Sequence, residues 1–243
     1  MRYSIASLSL SFSENLPAYL PRCYLDDPKL NECVLKAFNE IRPHVSNGIA
    51  EIGLPPLNPF IISKLSVEQD TSLAKYTVTG VNYTTRGLDN YDIKEFQYDC
   101  RTMTFRFRIE FDSILMTSLY EVHGHLAHIP VEGKGLGSHA YSPVNAVFEI
   151  NGGMRKLRGI NYYDTKYVNV TLDMGEGSYH LDGLFDNKQL ERMTNEMLNI
   201  NSDMVVKALT PALEKIAKIA VMRFMKTLFK IPYHKLFPQS ASS

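Results

Sequence analysis

Between positions 103 and 111 the chain alternates without error. Met103, Phe105, Phe107, Ile109 and Phe111 are apolar, and Thr104, Arg106, Arg108 and Glu110 between them are polar. A period of two places successive side chains on opposite faces, so this segment predicts a strand with one greasy and one charged side. Such a strand suits an antiparallel sheet that covers a core on one face and meets water on the other. Weaker alternation predicts further strands at 73–81, 114–122, 144–150 and 166–172. Turn signals separate these runs: Asp89-Asn90, Gly133-Lys134-Gly135, Asn151-Gly152-Gly153 and Gly175-Glu176-Gly177.

The two ends of the chain follow a helical period instead. From Pro28 to Ile49, apolar Leu30, Val34, Leu35, Phe38, Ile41 and Val45 recur at steps of mostly three or four, and Asn47-Gly48 supplies a stop. The proline-rich stretch 53–59 that follows is expected to be extended and outside any central strand. From Asn187 to about Lys230 the helical pattern returns, with an apolar surface so broad that the helix is expected to be wrapped on most sides. Pro211 inside it is expected to kink or restart the helix. Short helix, many strands, long buried helix, with neither repeat nor linker, predicts one α+β domain.

Composition narrows the possible partners. The 243 residues carry 26 Lys and Arg against 26 Asp and Glu, so long-range attraction to nucleic acid or an anionic membrane is not expected. No apolar run reaches the roughly 20 residues of a membrane span, so stable membrane insertion is not expected. Twelve Phe, fourteen Tyr and ten Met with no Trp make the interior aromatic and adaptable, with hydroxyl handles. Residues 1–15 read as a weak or incomplete signal segment, with serines diluting its apolar positions. Cys23 and Cys33 have a spacing suited to a small disulfide loop, and Cys100 is left over as a free thiol. Asn82-Tyr83-Thr84 and Asn169-Val170-Thr171 are glycosylation sequons.

Candidate chemistry is sparse. Two alternative functions are open to such a chain: an interaction module without ligand, and a metal-dependent enzyme using His123, His125 and His128. On a strand, however, His128 points away from the other two, so convergence needs a bulge. The bland expectation is solvent-facing imidazoles on an edge strand. The segment from Gly133 to Ser138 fits neither phosphate-loop pattern and is expected to be a hairpin turn. No nucleophile motif is present, and no catalytic residue, cofactor or metal is assigned.

Four segments resemble the takeout and haemolymph juvenile-hormone-binding protein family of insects. They are Cys23 with Asp27-Pro28, Asn31 and Cys33; then 48–60; then Tyr120 to Gly135; and Leu184 to Leu190 followed by Asn195, Leu198-Asn199 and Asn201. Ala50 and Asn58 depart from the family's Pro and Asp. The resemblance runs from about Leu16 to Phe237, with a domain over 16–238 and a flexible tail over 239–243. It implies a single-barrel lipid-binding fold related to the TULIP superfamily: a highly curved antiparallel sheet around one long C-terminal helix, enclosing an elongated hydrophobic tunnel. It also implies a Cys23–Cys33 disulfide and a secreted, monomeric carrier of a juvenile-hormone-like terpenoid, fatty acid or similar ligand. By alternation and position, Phe105, Phe107, Ile109, Met116, Tyr120, Phe148, Met222 and Met225 are expected to line the tunnel, with Tyr120 as polar anchor.

Overall fold

The structure, a computed structural model, describes residues 16–239. The expected leader at 1–15 and residues 240–243 of the expected tail lie outside the described residues. After α1 (Leu30–Ile41) come two short 3-10 turns and seven strands: β1 (Phe60–Asp70), β2 (Ala74–Arg86), β3 (Tyr91–Asp99), β4 (Thr104–Phe111), β5 (Ile114–Leu126), β6 (Ile129–Leu157) and β7 (Ile160–Leu181). Helices α2 (Lys188–Ile200), α3 (Ser202–Leu228) and α4 (Tyr233–Leu236) complete the chain.

The register reduces these strands to an antiparallel meander. β2 and β3 follow one another along one line, and so do β4 and β5, because β2 pairs with β5 while β3 pairs with β4. The long β6 pairs with β5 through 129–141 and with β4 through 144–151, and β7 lies on its other side. The sheet curls: Leu65 and Val67 of β1 and Tyr179 and Leu181 of β7, from opposite margins, line one cavity with Leu209 and Leu213 of α3.

α3 closes the gap between those margins through polar side chains. The buried Gln69 amide of β1 donates to the Ala208 carbonyl at 2.7 Å, and Glu214 accepts from the backbone N–H of Leu172 in β7 at 2.9 Å. α2 covers the rest of the β7 edge. Asn195 accepts from the Leu181 N–H and donates to the Leu181 carbonyl, and Asn199 does the same at Tyr179. Glu191 accepts from Gly183 N–H at 2.6 Å. Positions 191, 195 and 199 share one helical face, and 183, 181 and 179 share one edge, so the two periodicities match. The amide side chains do what a further strand would do, removing an edge open to aggregation.

Expectation and structure differ at instructive places. The 103–111 strand is found as β4 from Thr104 on, the 73–81 run as part of β2 from Ala74 on, and the remaining weaker runs fall inside β5, β6 and β7. β1 and β3 were not predicted. In β3 a register shift between Ile93 and Glu95 puts Tyr91 and Ile93 out of step with Phe96 and Tyr98, which hides the alternation. Of the four turn signals, the three that contain glycine lie inside strands, and only Asp89-Asn90 marks a connection. At Gly133 and Gly135 a Cβ would strike the backbone of 182–184, which bridges to Gly133, so these glycines serve close chain approach and not a hairpin. The actual tight turns are Ala127-His128 and Arg158-Gly159, all at positive φ. The C-terminal helical region breaks at Asn201 rather than at Pro211, which stands within a continuous α3. The side of α3 that is not wrapped is an exposed stripe of Met204, Lys207, Pro211, Lys215, Arg223 and Lys226.

Candidate functional site

Three apolar cavities follow one another along α3. The first, about 130 Å³, has Leu209, Leu213 and Ile216 of the helix in its wall. The second, about 240 Å³, takes Leu213 through Phe224, and the third, about 340 Å³, takes Val221 through Phe229. Neighbours share walls: Tyr83, Tyr141, Leu213 and Ile216 bound the first two, and Phe111, Phe148, Val221 and Phe224 bound the second and third. The series accompanies the helix from Leu209 to Leu228, which at about 1.5 Å per residue is about 30 Å. Among the described residues that line them there is no Asp, Glu, Lys or Arg.

The far end is closed by the N-terminal and C-terminal segments together. Val34, Phe38 and Ile41 of α1 face the third cavity. Cys23 and Cys33 are joined by a disulfide that ties residues before α1 to its first turn. The Leu25 N–H donates to the Pro238 carbonyl, and the hydroxyls of Tyr98 and Tyr233 bond at 2.7 Å. The inward side chains of β4 stack into this end: Phe105 lies parallel to Tyr98 with ring centroids 4.1 Å apart, and Phe107 packs on Phe148 at 4.8 Å. On the outer face, Arg106 and Arg108 pair with Glu149 and Glu95.

The structure brings seven of the eight expected lining residues to these walls. Phe105, Phe107, Ile109 and Met225 border the third cavity, Met116 the second, Phe148 both of these, and Tyr120 the first. Met222 borders none of the three, because its neighbours Val221, Phe224 and Met225 take the inner face of the helix. Tyr120 does not offer its proton to the cavity, since its hydroxyl donates to the Asp182 carbonyl at 2.7 Å. One polar group that does stand in the interior was not among the expected residues. His139 lies on the inward face of β6 with its Nε2 3.0 Å from the Tyr83 hydroxyl, and burial lowers its pKa to about 4, so the imidazole is neutral. Its only sequence signal is position, in step with Gly137 and Tyr141 along the strand.

The histidines near the β5–β6 turn do not converge. His123 lies 3.7 Å from Glu132, His128 occupies the turn itself, and no group of three His, Cys, Asp or Glu among the described residues is placed to hold a metal. β5 is not the expected edge strand, because β2 and β6 flank it. Cys100 is free and exposed, and Asn82 and Asn169 are exposed on the sheet.

A curled antiparallel sheet of seven strands, with one long helix over cavities that no charged side chain lines, defines an α+β fold with an apolar interior. The sequence profile of the family described as haemolymph juvenile hormone binding protein (JHBP) matches residues 3–238, and the chain belongs to that family. The crystal structure of Epiphyas postvittana takeout 1 has the same fold, with a TM-score of 0.74 at 21% identity over 89% of this chain and 99% of that one. Comparison with curated proteins finds no significant match.

Proposed function

We propose that the protein is a secreted, monomeric, non-enzymatic carrier that encloses a small lipophilic molecule, such as a juvenile-hormone-like terpenoid or a fatty acid, in a tunnel formed by the three cavities. The observation that carries this reading is the charge-free apolar series along α3. Binding is burial: each CH₂ withdrawn from water contributes about 0.8 kcal/mol, and a preformed cavity avoids the cost of ordering its walls. Phe105, Phe107, Ile109, Met116, Phe148 and Met225 serve as lining. The disulfide supports an oxidising compartment, exposed Asn82 and Asn169 suit glycan attachment, and no helix among the described residues is long and apolar enough to cross a membrane. Solvent extraction and native mass spectrometry of the purified protein, followed by titration with the apolar fluorophore N-phenyl-1-naphthylamine, test the reading. Saturable one-to-one binding is expected; absence of both bound lipid and saturable fluorescence refutes it.

A further inference from the structure

The first cavity, next to the wall that it shares with the second, holds polar groups whose bonding is incomplete. His139 makes one hydrogen bond, to Tyr83, and its Nδ1 has no protein partner among the described residues. The ring is deep in the protein yet not fully covered, and it borders the first cavity. Tyr83 also lies 3.3 Å from the Met116 sulfur. If the Tyr83 proton goes to sulfur, Nε2 carries the imidazole proton and Nδ1 accepts; if it goes to His139, Nδ1 donates. The tautomer adapts to what stands opposite. Beside this pair, the Tyr141 and Tyr179 hydroxyls are buried and close enough to couple to one another, with no other partner among the described residues.

Buried polar atoms with bonding capacity left over are costly, and the free His139 Nδ1 beside these hydroxyls, on a mostly apolar wall, needs a counterpart. A carboxylate or ammonium does not fit, because no charged residue borders the cavities and desolvating an unpaired charge costs far more than one hydrogen bond returns. We infer that His139, supported by Tyr83, is the specificity-determining contact for an uncharged oxygen function (ketone, ester, ether or hydroxyl) near one end of the bound apolar chain. This inference rests on the carrier reading and adds an orientation to it. The small first cavity takes the short end beyond the oxygen, and the second and third cavities take the long tail.

The experiment is competition against N-phenyl-1-naphthylamine by two probes of equal length: a straight-chain alkane, and a ketone with its carbonyl close to one end. The wild-type protein is expected to prefer the ketone about tenfold, the worth of one satisfied buried hydrogen bond. The preference should fall to about twofold or less in His139→Phe, and should weaken in Tyr83→Phe, which removes only a hydroxyl. Equal affinity for ketone and alkane overturns the inference, since the node then takes water or nothing. A preference that survives both substitutions overturns it as well. Failure of the alkane itself to compete falls on the carrier reading instead.

Discussion

Acidification should expose the energetic cost of placing a histidine in this interior. His139 holds its folded pKa near 4 through desolvation, against 6.5 for a free imidazole. Above both values the ring is neutral in folded and unfolded chains, and its ionisation costs nothing. As pH falls through 6.5 the unfolded chain takes up a proton that the folded chain refuses, so stability declines until about pH 4, where both are protonated. Integrating that difference from pH 7 to 4.5 gives a loss of about 2.5 kcal/mol. Asp89, Asp92, Asp99 and Glu191 are held below their ordinary values, so they also withdraw stability as pH drops through the carboxylate range. That contribution is common to the wild type and to His139→Phe, and it cancels in their difference. Urea unfolding of both proteins across this pH range is the assay. The wild type should lose about 2.5 kcal/mol relative to the variant between pH 7 and 4.5. A stability difference that stays flat with pH would refute a neutral, desolvated His139.

Removing the disulfide by replacing Cys23 and Cys33 with Ala should cost about 3 kcal/mol in denaturant unfolding, the loop-closure value for cysteines 10 apart, while Cys100→Ser should change little. Asn195→Ala and Asn199→Ala should each destabilise by about 1–2 kcal/mol and speed hydrogen exchange at the amides of Leu181 and Tyr179, with distant strands unaffected. Expression through a secretory pathway should add glycan mass that Asn82→Gln and Asn169→Gln each reduce in intact-mass measurements.

The sequence shows much of this fold because burial on one face leaves a periodic trace. β4 is readable residue by residue, since its inner side packs on aromatic rings while its outer side carries Arg106 and Arg108 in ion pairs. The trace fails where geometry departs from period two, as at the β3 bulge. It fails also where glycine has two meanings: Gly133 and Gly135 resemble a turn in sequence, yet they sit mid-strand because a neighbouring chain passes too close for a side chain. Helix rotation is weakly encoded in α3, whose apolar surface is nearly continuous, so Met225 and Met222 look equivalent until the sheet selects one. The polar node is hidden for another reason. His139, Tyr83, Tyr141 and Tyr179 come from three strands, and only their pairing brings them to one wall.

The claim that the interior is the binding site is tested most directly by filling it. Ala220 is a small α3 residue in the wall of the middle cavity, where an indole ring would occupy much of the roughly 240 Å³. The affinity of Ala220→Trp for N-phenyl-1-naphthylamine, measured beside the wild type and with folding verified by circular dichroism, is the decisive quantity. Binding should weaken at least about tenfold in a folded variant, because the ligand loses the buried apolar surface that holds it. Unchanged affinity in that variant would place the ligand elsewhere and contradict the account.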